Sequence, residues 1–84
     1  MSSRCLNFSS KASKFLDSLE LAQRKQVAIK IAKLIDDPRP QSSRCLSSQP
    51  GLFRLRVGDY RAIYKIIPTE IEVIAIGHRS WIYE

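Results

Sequence analysis

The sequence predicts an α+β fold in which an N-terminal helix hairpin packs on one face of a small antiparallel sheet. Two observations carry this prediction: apolar residues recur at helical spacing from about Ser9 to Asp37, and residues from about Leu52 to Tyr83 have the composition of strands. Strands in direct succession, joined by short turns, pair in antiparallel fashion and leave one face for the helices to cover. A length of 84 residues allows one domain, so we expect residues 1–84 to form a single unit.

Two short amphipathic helices are predicted in the first half. The first has apolar residues at i, i+3, i+4 and i+7, and Ser9 and Ser10 are both suitable caps for its start. The second repeats the pattern from Glu20 to Ile35 and ends before Pro38, because the residue that precedes a proline is kept out of the helical region. The apolar positions are Ala12, Phe15, Leu16, Leu19, Val27, Ile31, Leu34 and Ile35.

Strand-forming residues occur at both ends of the chain. The segment 5–8 is predicted to be a short first strand, and the Pro/Ser/Gln-rich segment 38–50 is interpreted as a linker. After the linker, residues 53–57 alternate apolar and basic side chains and run into Gly58-Asp59, a two-residue hairpin turn. This turn fixes the register of the two strands, and the register places Arg56 opposite Arg61.

Directly opposed residues share a sheet face, so the register separates two sets of side chains. The basic set comprises Arg54, Arg56, Arg61 and Lys65. The set predicted to form the core under the helices comprises Phe53, Leu55, Val57, Tyr60, Ala62, Tyr64 and Ile66.

A second turn brings the last strand beside the basic set. We expect a three-residue loop, Pro68-Thr69-Glu70, which places Ile67 opposite Ile71 and Arg61 opposite Gly77. Because glycine has no side chain, this pairing leaves a depression beside Arg61. The basic residues are therefore predicted to flank a small hollow suited to a phosphate.

The positive charge is concentrated near this predicted hollow. The chain carries a formal net charge of +6, and the segment 38–66 alone has six basic residues and one acid, a net charge of +5. Arginine predominates there, and its planar guanidinium suits phosphate. We favour binding of a polyanion, and the alternatives are a solvated face or one that pairs with acidic residues of a protein partner.

Several other classes of function are disfavoured. No apolar run reaches the roughly 18 residues of a membrane span, and the first residues do not resemble a signal peptide, so we expect no membrane association and a cytoplasmic location. Cys5 and Cys45 are expected to be free thiols, and with His78 they lack the spacing of a metal site. No cofactor is expected. The register directs His78 toward the core, which favours a structural role, although histidine is also a common general acid or base.

Three motifs give the sequence a clear resemblance. They are Asp37-Pro38-Arg39-Pro40, the segment 52–64 with the core LRVGDYRAIY, and the ending GHRSWIY over residues 77–83. In order and spacing they resemble the RelE/ParE toxin family of bacterial toxin–antitoxin systems. The family's fold, a helix hairpin on an antiparallel sheet, agrees with the one predicted above.

The resemblance implies a toxin of a type II toxin–antitoxin system. The RelE-like branch cleaves mRNA, typically in the ribosomal A site, whereas the ParE-like branch inhibits DNA gyrase without acting as a nuclease. The GHR ending with a downstream tyrosine is similar to the nuclease branch, so we favour a ribosome-dependent endoribonuclease. The implied partners are the ribosome, mRNA and an acidic antitoxin like RelB.

Site residues follow from the resemblance by motif. The residues it implies to be catalytic are Arg54, Arg61, Arg79 and Tyr83. Those assigned to RNA binding are Arg56, Lys65, Arg44, His78 and Trp81. The implied reaction needs no metal: the ribose 2′-OH attacks the adjacent phosphate while arginines stabilise the charge on the phosphoryl oxygens. Tyr83 is the first candidate for the base and His78 the second.

Overall fold

The computed structural model describes residues 4–46 and 49–79, which form two α-helices, one turn of 3-10 helix and a five-stranded sheet. In chain order the elements are β1 (Cys5–Phe8), α1 (Ser10–Asp17), α2 (Leu21–Ala32), the 3-10 turn (Lys33–Ile35), β2 (Ser43–Cys45), β3 (Leu52–Val57), β4 (Tyr60–Ile67) and β5 (Glu70–His78). Within these residues no helix is both long and apolar enough to cross a membrane.

The strands lie in the order β1-β5-β4-β3-β2. The predicted antiparallel pairing of β3, β4 and β5 is confirmed, and β2 also pairs antiparallel to β3, whereas β1 pairs parallel to β5 at the edge, so the sheet is mixed rather than wholly antiparallel. A parallel pair requires a long connection, and here the helices and three further strands supply it. The α+β class, the helix pair and the first strand are thus confirmed. The sequence did not predict β2, because three residues within a linker are too few to show a period.

The core lies between the helices and one face of the sheet. It includes the predicted set on β3 and β4: Phe53, Leu55, Val57, Ala62 and Tyr64 are buried, and Tyr60 and Ile66 pack against them. The helical segments and β5 contribute Ala12, Val27, Ile31, Leu34, Ile71, Val73 and Ile76. Burying a large apolar side chain contributes about 1.5–3 kcal/mol, so this layer fixes which sheet face points outward.

The pairing of β4 with β5 differs from the prediction at one end. Arg61 does lie opposite Gly77, but Ile67 lies opposite Glu70 rather than Ile71, so the connecting loop is one residue shorter than expected. The two registers are reconciled by a β-bulge, in which Ile74 is the additional residue of β5. The predicted loop was wrong because a bulge within an apolar run leaves no signature in composition.

Ser9 joins the bulge to the first helix. Its hydroxyl group accepts a hydrogen bond from the Ala12 amide (3.0 Å) and donates one to the Ile74 carbonyl (2.6 Å). Its own amide donates to the Val73 carbonyl at 2.9 Å. One serine therefore caps α1 and pins the helix start to β5, which confirms Ser9 as the cap.

Candidate nucleic-acid interface

The outer face of the sheet carries the predicted basic residues. Arg56 lies opposite Arg61 and Leu52 opposite Lys65, as the hairpin register predicts. The short strand β2 adds Arg44, which lies opposite Arg54. Like charges opposed across strands destabilise a sheet, so the arrangement of Arg56 and Arg61 is a cost to folding that an anionic ligand would relieve.

A cavity of about 790 Å³ opens at this face and is hereafter called the cationic hollow. Among the described residues that line it, six side chains are lysine or arginine and none is acidic. The lining residues are Lys30, Gln41, Ser42, Arg44, Arg54, Arg56, Gly58, Arg61, His78 and Arg79. A hollow with this charge suits a phosphate group of a nucleic acid.

Six of the nine residues assigned from the sequence line this hollow: Arg44, Arg54, Arg56, Arg61, His78 and Arg79. Lys65 has its place on the same strand as Arg61 but is not among the lining residues. Trp81 and Tyr83 lie outside the described residues, so their assignment stays a prediction.

Arg61 is held in place by the hairpin turn. Its Nη1 atom donates to the carbonyl oxygens of Gly58 and Tyr60, each at 2.8 Å. Desolvation lowers the pKa of Arg61, and the charges of neighbouring arginines, Arg56 first, lower that pKa further, while Asp59 opposes the shift. An arginine remains protonated in proteins at neutral pH, so the lowered pKa reflects an unfavourable crowding of positive charge.

Arg79 is tied to the same turn from the end of β5. Its amide donates to the Asp59 carbonyl at 2.7 Å, and its Nε atom lies 3.6 Å from the Asp59 carboxylate. The two side chains are 63% and 71% exposed, so this ion pair is weak. The backbone bond therefore fixes where the residue stands, while a phosphate can compete with Asp59 for the guanidinium.

His78 is half-buried, lines the cationic hollow and packs against an aromatic residue at the edge of the core. It pairs with Tyr60 across the strands, and the two rings meet edge-on with centroids 5.9 Å apart. Tyr60 in turn meets Phe15 of α1 at 6.0 Å. This packing agrees with the predicted structural role, and the position at the rim keeps the imidazole beside the arginines.

The sequence missed part of the wall. Lys30 reaches the hollow from α2, where it is not one of the predicted apolar positions, and Gln41 and Ser42 come from the linker. A linker has no period from which its contacts could be predicted. Gly58 has a φ of 57°, the left-handed value that the hairpin turn requires.

Metal ligands are not grouped in the described part of the chain. Between residues 4 and 46 and between 49 and 79, no three His, Cys, Asp or Glu side chains come together as a metal site. Cys5 and Cys45 are free and exposed, on the strands at opposite edges of the sheet.

Replacing Arg56 by glutamine should stabilise the fold, because it removes the repulsion of Arg61. We expect the free energy of unfolding in urea to rise by about 0.5 kcal/mol at low salt, and most of this gain to vanish at high salt. Lys65→Gln is the matched control, since Lys65 lies opposite Glu72 and loses an attraction instead. A loss of stability in Arg56→Gln at low salt would contradict a destabilising repulsion between Arg56 and Arg61.

Comparison with known proteins shows a match to one protein family. A family model described as the ParE toxin of the type II toxin–antitoxin system parDE matches residues 6–83. No curated protein sequence matches the chain.

Solved structures with the same fold come from toxin–antitoxin complexes. A chain of the intact E. coli RelBE complex is 26% identical with a TM-score of 0.75, and the match covers 89% of this chain and 95% of that one. A chain of the Pyrococcus horikoshii RelE–RelB complex is 23% identical with a TM-score of 0.80, covering 95% and 99%. The RelBE2 complex of Mycobacterium tuberculosis gives 23% identity and a TM-score of 0.76, covering 92% and 99%. With a family match over nearly its whole length and this shared fold, the chain belongs to the RelE/ParE family of type II toxins.

Proposed function

We propose that this toxin is a ribosome-dependent endoribonuclease that cleaves translated mRNA. The observation that carries the proposal is the cationic hollow, which combines six basic side chains with no acid. The opposed Arg56 and Arg61 cost stability in the free protein, and this cost is relieved when an anion binds beside them. A phosphate that is cleaved in the hollow makes use of them.

The reaction follows from the chemistry of RNA. The ribose 2′-oxygen loses its proton to a base and bonds to the adjacent phosphorus, while the bond from phosphorus to the 5′-oxygen breaks and that oxygen takes up a proton. The products are a 2′,3′-cyclic phosphate and a 5′-hydroxyl. Arg61 and Arg79 stabilise the charge that grows on the phosphoryl oxygens, and Arg54 assists them.

The remaining assigned residues move protons and hold the strand. Tyr83 is our first candidate for the base and His78 is the second, because a phenol and an imidazole can both take part in proton transfer. Arg44, Arg56 and Lys65 would contact neighbouring phosphates, while Trp81 offers a ring on which a base can stack. Arginine is a poor proton donor, so the arginines act here by charge rather than as acids.

An antitoxin is the expected protein partner. Relatives of the same fold are seen in complexes named for RelB and RelE. The surplus of positive charge on this face favours an acidic antitoxin segment that covers Arg54 and Arg61. Because its proposed targets are ribosomes and mRNA, we expect the toxin to act in the cytoplasm.

The second candidate function is inhibition of DNA gyrase, as in the ParE-like branch. It is favoured by the matching family model, whose description names a ParE toxin. In that case the cationic hollow would bind acidic side chains of the target rather than RNA. The two candidates differ in whether mRNA is cut.

Induced expression with mapping of mRNA 5′ ends tests the proposal. We expect cuts at fixed positions within codons that vanish when translation is blocked, because the ribosome presents the strand. The Arg61→Ala, Arg79→Ala double variant serves as the matched control and should leave mRNA intact. Arrested replication with intact mRNA in cells that express the wild type would overturn the nuclease and support the gyrase candidate.

A further inference from the structure

A second hollow of about 490 Å³ lies beside the cationic hollow, between the end of α2 and the linker. It is lined by Lys30, Lys33, Asp36, Asp37, Pro40, Gln41 and Ser42. Lys30, Gln41 and Ser42 also line the cationic hollow, so the two hollows are neighbours that share these residues. A strand held by its phosphate in the first hollow therefore has a neighbouring nucleotide within reach of the second.

The two hollows differ in charge. The second has two lysines and two aspartates, so it is neutral overall, whereas the first has six basic residues and no acid. Carboxylates repel a phosphate, which makes the second hollow a poor phosphate site. Its lining instead offers hydrogen-bond donors, acceptors and the apolar ring of Pro40, which are the groups that a nucleobase needs. Its volume is within the range of small-ligand sites.

The backbone of this second hollow is well supported. The amides of Asp36 and Asp37 donate to the Lys33 carbonyl at 3.2 and 3.0 Å, which fixes the end of the helical segment. The Pro40 carbonyl accepts two bonds from Ser43, one from its amide (3.0 Å) and one from its hydroxyl (2.8 Å). A wall that is already ordered can discriminate between ligands without the cost of ordering it first.

Resting on the nuclease function proposed above, we propose that the second hollow binds the base next to the cleaved phosphate and selects bases with an exocyclic amino group. Aspartate oxygens accept hydrogen bonds from such groups, as in the recognition of the cytosine amine. Uracil has only carbonyl oxygens at these positions, and they repel a carboxylate. Asp36 and Asp37 therefore favour cytosine, adenine or guanine over uracil at one position beside the cut.

The Asp36→Ala, Asp37→Ala double variant tests this selection. Both residues are exposed at the C-terminal end of a helical segment, where acidic side chains interact unfavourably with the helix dipole. Their removal takes away this interaction, so we expect the variant to fold. In mapped mRNA ends we expect the wild type to disfavour uracil about 5-fold at one flanking position, and the variant to lose this preference. Asp17→Ala is the matched control, since Asp17 is an exposed acid at the end of α1 and is not among the residues lining either hollow.

A binding measurement separates this inference from the nuclease function. Oligo-deoxycytidine and oligo-deoxyuridine have no 2′-OH to react, so their affinities report base selection alone. We expect the wild type to bind the first about 5-fold more tightly at low salt, and the double variant to bind both equally. Equal binding by the wild type, or an unchanged preference in the double variant, would overturn the inference while leaving translation-dependent cleavage intact. Selective binding without any cleavage would instead overturn the nuclease function.

Discussion

Replacing Arg61 by alanine should lower the rate of mRNA cleavage by about 100-fold or more, the usual loss when one group that stabilises transition-state charge is removed. Arg61 stands where the charges of β3, β4 and the end of β5 converge: Arg56 lies directly opposite it, and Arg54 and Arg79 line the same hollow. Its guanidinium is fixed by two carbonyls of the turn, so its charge is already in position before the substrate arrives. Alanine removes this charge from the centre of the site.

The measurement is single-turnover cleavage of mRNA on stalled ribosomes, with antitoxin binding and thermal unfolding recorded for the same protein. Lys25→Ala is the matched control: it removes one exposed positive charge from α2, outside the lining of both hollows, and should cost no more than about 3-fold. Arg61→Ala should unfold at a temperature close to that of the wild type, because the lost carbonyl bonds are offset by the relief of repulsion from Arg56. Cleavage at the wild-type rate by folded Arg61→Ala would refute the assignment of Arg61 to the catalytic site.

Replacing Tyr64 by alanine should lower the free energy of unfolding by about 3–5 kcal/mol, as for other large aromatic side chains in a core. Tyr64 is fully buried in the middle of the sheet, and its ring stacks on Phe53 with centroids 5.5 Å apart. Its hydroxyl donates to the Pro38 carbonyl at 2.6 Å, which holds the start of the linker against the core. The loss is a large fraction of the stability of a small domain.

The Tyr64→Phe variant separates the ring from the hydroxyl. We expect it to cost about 1 kcal/mol, since the ring stays packed and the hydrogen bond of the hydroxyl to Pro38 is lost. Denaturant unfolding of the three proteins at neutral pH provides the comparison. If Tyr64→Phe were as unstable as Tyr64→Ala, the hydroxyl rather than the packing would dominate.

The burial of Tyr64 also predicts that the folded protein loses stability at alkaline pH, and the wild type and Tyr64→Phe are the two proteins to compare. Desolvation raises the pKa of Tyr64 above its ordinary value of 10.0 in the folded state. The contribution of the neutral phenol is therefore complete below pH 10 and is lost as the pH rises through the higher folded-state pKa. The wild type should lose stability in this window, and Tyr64→Phe should lose less because it has no proton to release there.

The bonds of Tyr64 also connect stability to the site. The linker that leaves Pro38 supplies Gln41 and Ser42 to both hollows, so its anchoring to the core positions their shared wall. Tyr64 therefore anchors, from within the core, the start of the segment that lines both hollows.

Much of the sheet could be predicted because local chemistry constrains it. The glycine in the Gly58-Asp59 turn fixes a two-residue hairpin, and the period of two along a strand then sends Arg54, Arg56 and Arg61 to one face. The pairing of Arg61 with Gly77 was also correct, although the loop from which it was derived is one residue shorter. That error was compensated by the bulge at Ile74, whose carbonyl oxygen accepts a hydrogen bond from Ser9 that the composition of β5 does not indicate.

The sequence by itself determined the α+β class, the core face of β3 and β4, and the gathering of arginines on the opposite face, because helical and strand periods and turn residues act over short distances. Only the tertiary structure decided that β1 joins β5 in parallel and that β2 forms in the linker. It also brought Lys30, Gln41 and Ser42 to the arginines and created the neutral hollow beside them. Those contacts join segments far apart in the chain, and they follow from how the layers pack rather than from any local pattern.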